Sequence, residues 1–133
     1  MISRSHLLHA EVTRAIIGSF FEVYNALGFG LLESAYAAAI QRELRRRGHV
    51  VRREQWIDVL YKGEAVARQR VDMIVDDRVV VEIKATELLP RFAKRQLLSY
   101  LTVTALEVGV LLHFGPEAKF YRMVSTIHRQ SSA

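Results

Sequence analysis

The chain has 133 residues, half of them hydrophobic, which is enough to bury one core without covalent cross-links. The absence of cysteine excludes disulfides, thiolate metal sites and cysteine nucleophiles, and the net charge of +5 favours a polyanionic partner. No repeat or linker divides the sequence, and no apolar segment resembles a secretion signal or a membrane span. We therefore expect a single soluble domain over residues 1–133, located in the cytoplasm.

Hydrophobic periodicity predicts two helices followed by three strands. Apolar side chains recur at helical spacing over residues 7–27 and 31–47, and a glycine follows each segment as a stop signal. The period then changes to two over residues 50–60, 64–75 and 79–85. We interpret these three segments as an antiparallel meander.

The rest of the chain alternates between the two patterns. A third helix is predicted over residues 91–104, after Pro90, and two short strands over residues 108–114 and 119–124. The order ααβββαββ predicts an α/β domain of the α+β kind.

Two adjacent strands carry the most informative pattern, because their odd-numbered positions are apolar and predict one buried face: Val71, Met73, Val75, Val79, Val81 and Ile83. Asp72, Glu82 and Lys84 then share the opposite face. An odd-length loop would pair Val75 with Val79 and place Asp72 opposite Glu82, whereas a two-residue loop would separate the carboxylates. We favour the odd loop, in which an aspartate must adopt the left-handed conformation because glycine is missing.

Two carboxylates directed at one point repel each other unless a cation or a proton lies between them. Hard oxygen ligands favour Mg²⁺ or Mn²⁺, and Lys84 would hold the nucleophile or stabilise charge on a phosphate. The sequence therefore indicates phosphodiester hydrolysis at Asp72, Glu82 and Lys84. The alternative is that the three are ordinary surface residues joined in a weak ion pair.

Three further groups have both a functional and a structural interpretation. Glu33 is either a third carboxylate on the largely buried side of the second helix or an acid favoured by the dipole of its first turn. Gln96 and Tyr100, four residues apart on the third helix, either approach the strand site or form a half-buried hydrogen-bonded pair. Six arginines either contact phosphate or form a solvated surface: Arg42, Arg45, Arg46, Arg47, Arg52 and Arg53.

Residues 30–36 (GLLESAY) resemble the signature of the GxxExxY protein family, and the likeness continues through Asp72, Glu82-Ile83-Lys84 and Gln96-x-x-x-Tyr100. It covers nearly the whole chain. This family is placed in the PD-(D/E)XK nuclease-like superfamily, whose core is a restriction-endonuclease-like mixed sheet with an antiparallel meander flanked by helices. The resemblance therefore implies the same element order that the periodicity predicts.

The resemblance also implies residue roles. Asp72, Glu82 and Glu33 would bind Mg²⁺ or Mn²⁺, together with the backbone carbonyl of Ile83, and Lys84 would assist the attacking water. Gln96, Tyr100, Tyr36 and Arg70 are expected to contact the substrate.

Our leading hypothesis from the sequence is a metal-dependent nuclease, expected to act on DNA. The alternatives are a catalytically inactive nucleic-acid-binding module and a protein-interaction subunit of the same fold. A homodimer would provide more surface for gripping a duplex, although no heptad pattern predicts one.

Overall fold

The computed structural model describes residues 8–125, which form three helices and five strands. These are α1 (Ala10–Leu27), α2 (Glu33–Arg46), β1 (Val51–Tyr61), β2 (Glu64–Val75), β3 (Val79–Lys84), α3 (Ala93–Val103), β4 (Val108–Phe114) and β5 (Ala118–Val124). The predicted order ααβββαββ is confirmed, with ends shifted by a few residues. Leu7, where the first helix was predicted to begin, lies outside the described residues. No helix within residues 8–125 has the length and apolar character needed to cross a membrane.

The five strands form one mixed sheet in the order β1-β2-β3-β4-β5. The β1–β2, β2–β3 and β4–β5 pairs are antiparallel, which confirms the predicted meander, and β3 and β4 are parallel. A parallel pair needs a long crossover connection, and α3 lies within the one that joins β3 to β4. The α+β class and the flanking helices are therefore as predicted.

Both faces of the sheet are covered by helices at β3 and β4. On one face, α1 and α2 pack Ile16, Phe20, Tyr36 and Ile40 against Phe114 and its neighbours. On the other face, α3 packs Leu97 and Leu101 against Val80 and Leu111. All seven residues of β4 are consequently buried.

The predicted apolar face of β2 and β3 is correct at five of its six positions. Met73, Val75, Val79, Val81 and Ile83 belong to the core under α1 and α2. Val71 belongs instead to the core under α3, so its predicted orientation is wrong.

The reason is that the side chains of β1 and β2 exchange faces of the sheet near Glu54 and Asp72. On one side of this point Val51 and Met73 face α1 and α2, whereas on the other side Ile57 and Val71 face α3. Glu54 has a left-handed φ of 51°, and the β2–β3 ladder ends at Met73. Residues 55–71, the β1–β2 arm, therefore extend past β3 as a twisted two-stranded ribbon.

Both turns of the meander use left-handed backbone. At the arm tip, Lys62 and Gly63 have φ values of 49° and 82°. The loop between β2 and β3 pairs Val75 with Val79, as the odd length predicts, and Asp76 and Asp77 have φ values of 54° and 55°.

The side chain of Asp76 also ties this loop to the start of β1. Its Oδ1 accepts a hydrogen bond from the Val50 N–H at 2.8 Å, and its Oδ2 lies 2.6 Å from His49 Nδ1. These bonds hold the outer end of the meander in place.

Helix α3 approaches the sheet closely because Gly109 has no side chain. A Cβ atom at this position of β4 would lie 2.9 Å from Leu97 Cδ1, too close for a normal contact. Gly109 therefore sets the height of α3, which carries Gln96 and Tyr100, above the strands.

Candidate active site

The carboxylates of Asp72 and Glu82 meet where the β2–β3 ladder opens. The last ladder pair is Met73 with Val81, and the next positions bring Asp72 opposite Glu82, as the odd loop predicts. Here side chains replace the backbone acceptors: the Asp72 N–H donates to Glu82 Oε1 at 3.1 Å, and the Ile83 N–H donates to Asp72 Oδ2 at 2.6 Å. The two carboxylates are thus held side by side by the strand backbones.

This arrangement carries an electrostatic cost. Burial, and then the nearby charge of Asp72, raise the pKa of Glu82 to about 8, although the Asp72 N–H and Lys84 act in the opposite direction. Near neutral pH, the metal-free pair therefore retains a proton. A hard divalent cation would relieve the same repulsion without a proton, so the donor set fits such an ion.

Glu33 faces this pair from the first residue of α2. Burial, and then the charge of Asp72, raise its pKa, whereas Lys84 lowers it. Glu33 lies on the same side of α2 as the buried Ala37 and Ile40, as the spacing predicts, but its side chain remains largely exposed. The cause is its position at the N-terminus of α2, before the helix reaches the core.

Glu33 and Asp72 line one pocket of about 260 Å³, together with Ser34, Ala37, Arg53, Glu54 and Arg70. Within residues 8–125, no three acidic or histidine side chains are close enough to form a ready-made metal site. The pair Asp72 and Glu82 would therefore need water or substrate oxygens as further ligands, which is usual for Mg²⁺.

Lys84 and Gln96 line a neighbouring pocket of about 440 Å³ beside the same strand. Tyr100, one helical turn beyond Gln96, is partly buried, and burial followed by the charge of Glu82 raises its pKa. The hydrogen bond with Gln96 acts in the opposite direction. The structure thus brings both α3 residues to the carboxylates.

Tyr36 does not have the position expected of a substrate-binding residue. Its ring is fully buried and stacks on Phe114 with a centroid distance of 4.0 Å. Its hydroxyl donates to the Gly28 carbonyl and accepts from the Leu31 N–H. Tyr36 therefore holds the loop between α1 and α2, and that expectation is corrected.

The arginine cluster divides between different surroundings. Arg47 pairs with Glu43, Arg52 pairs with Asp77, and Arg53 bonds to Gln41 at the edge of the carboxylate pocket. Therefore the six arginines form neither one phosphate-binding cluster nor one solvated surface.

Several pocket residues were not singled out from the sequence: Ser34, Glu54, Arg91, Phe92 and Arg95. Arg91 and Phe92 directly precede the third helix, where a positive and an aromatic side chain follow Pro90. That position was the available signal for the second pocket.

A family model described as the PD-(D/E)XK nuclease superfamily matches residues 10–124. Among solved structures, the chain is similar to the crystal structure of SSO0001, with 22% identity and a TM-score of 0.53. That similarity covers 74% of this chain and 55% of the other, so the chain spans about half the length of that protein, and at this identity it shows the fold alone. No curated protein sequence matches the chain. Proteins of the superfamily are generally nucleases, and they typically use divalent metals. Since the family model covers nearly all of the sequence, the chain belongs to the PD-(D/E)XK nuclease superfamily.

Proposed function

We propose that this chain is a divalent-metal-dependent nuclease that hydrolyses phosphodiester bonds in DNA. The observation that carries the proposal is the opening of the β2–β3 ladder, where Asp72 and Glu82 accept hydrogen bonds from opposite strands beside Lys84. A structural surface pair would not need a partly buried carboxylate whose pKa is raised to about 8.

Asp72 and Glu82 would hold a Mg²⁺ or Mn²⁺ ion, with the Ile83 carbonyl as an additional oxygen donor, and Glu33 would contact the ion through one of its water ligands. When bound, such an ion polarises a phosphoryl oxygen and lowers the pKa of water. The backbone bonds to both carboxylates keep them in place before the ion arrives.

Lys84 follows the carboxylates on β3 and lines the pocket that contains Gln96. Its ammonium group would orient the attacking water and stabilise negative charge on the phosphate in the transition state. Gln96 and Tyr100 would contact the phosphate backbone, and Arg70 would bind a phosphate from the opposite side, where it lines the pocket with Asp72.

Two finer assignments belong to the same proposal. Residues 30–36, together with Asp72, Glu82, Lys84, Gln96 and Tyr100, favour membership of the GxxExxY family within the superfamily. The lack of cysteine suits a reducing cytoplasm.

The direct test is cleavage of single-stranded, duplex and branched DNA, and of RNA, in Mg²⁺, Mn²⁺ or EDTA. We expect metal-dependent cleavage in the wild type and its loss in Asp72→Ala and Lys84→Ala. The exposed residues Glu22 and Lys119 provide matched controls, since Glu22→Ala and Lys119→Ala remove the same charges away from the site.

Each outcome decides something. Cleavage that survives both site variants would refute the assigned residues, and cleavage of RNA but not DNA would correct the substrate. If the folded wild type binds nucleic acid without cutting any substrate, the chain is an inactive binding module. If it does neither, a protein-interaction role is favoured.

A further inference from the structure

The β1–β2 arm carries an exposed aromatic ring next to two arginines. Trp56 is 55% exposed and is the single tryptophan of the sequence. The guanidinium carbon of Arg68 lies 4.8 Å from the centroid of its ring, and Arg70 is its partner across the two strands. A single exposed apolar side chain is ordinary, but an exposed tryptophan ring beside two arginines combines the side chains that are enriched at binding surfaces.

This patch is continuous with the candidate active site. Because the arm turns over at Glu54 and Asp72, Ile57 and Val71 face α3, and the alternate positions of Trp56 and Arg70 face the other way. Arg70 there lines the same pocket as Glu33 and Asp72. Arg70 and Asp72 are two residues apart on one strand, a span of about 7 Å. A polymer lying across the carboxylates would therefore reach Trp56 within a short distance.

The charges next to Trp56 suit a phosphate backbone. Within residues 8–125, neither Arg68 nor Arg70 forms an ion pair, and Arg53 adds a third arginine at the edge of the carboxylate pocket. Two acidic residues also lie here: Asp58 is opposite Arg68 in the ladder, and the exposed Glu54 lines the pocket with Arg53 and Arg70. The carboxylates thus have a basic border on the side of Trp56.

We propose that Trp56, flanked by Arg68 and Arg70, is a stacking platform for an unpaired base of the nucleic-acid strand whose phosphate lies at Asp72 and Glu82. The proposal rests on the nuclease function proposed above and narrows its substrate to single-stranded or locally unpaired DNA. Both faces of a base inside a duplex are covered by its neighbours, so away from the duplex ends an indole ring can stack only on an unpaired base. Arg68 supports the ring and, with Arg70, contacts the adjacent phosphates.

The lone tryptophan makes this inference directly measurable. In EDTA, where cleavage is prevented, indole fluorescence is followed while a short oligothymidylate or a relaxed circular duplex, which has no ends, is added at the same nucleotide concentration. We expect saturable quenching by the single strand and little change with the duplex.

Affinity is then compared by anisotropy of a labelled oligothymidylate. We expect Trp56→Ala to weaken binding roughly ten- to hundredfold and Trp56→Phe to weaken it less, because a smaller ring still stacks. Arg70→Gln should reduce the salt dependence of binding. Phe29→Ala, which removes an exposed aromatic ring from the loop between α1 and α2, is the control and should bind as the wild type.

The platform and the nuclease can fail separately. Folded Trp56→Ala protein with unchanged single-strand affinity would overturn the platform, even if the wild type cleaves DNA. If Trp56→Ala lowers the affinity for single-stranded DNA but the wild type cleaves no nucleic acid, the platform is supported and the nuclease function is refuted. If Trp56→Ala changes the sedimentation of the protein but not its affinity for DNA, the face is a self-association surface and the proposal is wrong.

Discussion

Replacing Glu82 by glutamine should make the metal-free protein more stable while removing the proposed nuclease activity. The pKa of Glu82 is raised from its ordinary value of 4.5 to about 8, chiefly by burial and then by the charge of Asp72. The folded state therefore holds a proton that the unfolded state releases, so this stabilisation is complete below about pH 4.5 and is lost as the pH rises through 8. A glutamine is never charged, yet its oxygen can still accept the Asp72 N–H.

The expected gain follows from the size of the shift. Each pKa unit corresponds to about 1.4 kcal/mol, and after allowance for relaxation of the site we expect Glu82→Gln to raise the free energy of unfolding by about 3 kcal/mol at pH 8. The gain should shrink towards zero near pH 4. Mg²⁺ should stabilise the wild type and leave the variant unchanged, since only the wild type has the carboxylate ligand.

The assay is urea denaturation followed by circular dichroism, in EDTA and in Mg²⁺, from pH 4 to pH 8. The exposed Glu22 gives the control, because Glu22→Gln makes the same chemical change on α1 and should alter stability little at any pH. A Glu82→Gln protein that is no more stable than the wild type at pH 8, or one whose gain does not depend on pH, would refute the electrostatic account of the site.

Three other predictions, which use four substitutions, test the structure around the site. Asp76→Ala should lower the free energy of unfolding by about 1–3 kcal/mol at neutral pH. Partial burial opposes ionisation of Asp76, but the hydrogen bonds from His49 and the Val50 N–H lower its pKa. The difference in unfolding free energy between the variant and the wild type should therefore disappear as the pH falls through this lowered pKa, which acid titration of stability would show. Tyr36→Phe should lower the free energy of unfolding in urea by about 1–2 kcal/mol and leave the KM for DNA unchanged. A raised KM with unchanged stability would instead indicate that Tyr36 contacts the substrate. Gly109→Ala should lower the free energy of unfolding by about 1–3 kcal/mol, because the added methyl group would be too close to Leu97. In a double-mutant cycle, Leu97→Ala should lower the free energy of unfolding less in the Gly109→Ala protein than in the wild type.

The sequence was sufficient to predict the register that brings the carboxylates together. Alternation of apolar residues on β2 and β3 can be satisfied on one face only when Val75 pairs with Val79, and this requirement is visible in the residues themselves. The same rule failed at Val71, because alternation assumes a strand that keeps its orientation. The left-handed Glu54 and the end of the β2–β3 ladder change that orientation, and neither leaves a mark in the residue pattern.

The residues of β1 that line the pocket with Glu33 and Asp72 were harder to predict, because the pairing of β1 with β2 is irregular. The register between β1 and β2 shifts between Val59 and Leu60, which changes the β1 residue opposite Asp72. Counted back from the arm tip without this bulge, Arg53 would lie opposite Asp72, whereas in the structure that position is occupied by Glu54, between the Arg53 and Gln55 pairs. A one-residue bulge in a ribbon exposed on most of its surface has no strong sequence signal.

The arm tip divides the chain into two parts with different contributions. The segment after Gly63 carries Asp72, Glu82 and Lys84, whereas the segment before it carries Glu33 and Trp56. The two segments are joined by the backbone hydrogen bonds of the long β1–β2 ladder. A polypeptide cut at this exposed tip would thus yield one fragment with Asp72, Glu82, Lys84 and the arginines that flank the platform, and another with Glu33 and Trp56. Each fragment would lack part of the proposed site, and we expect DNA cleavage only when the two pair again along the β1–β2 ladder, as in a split reporter.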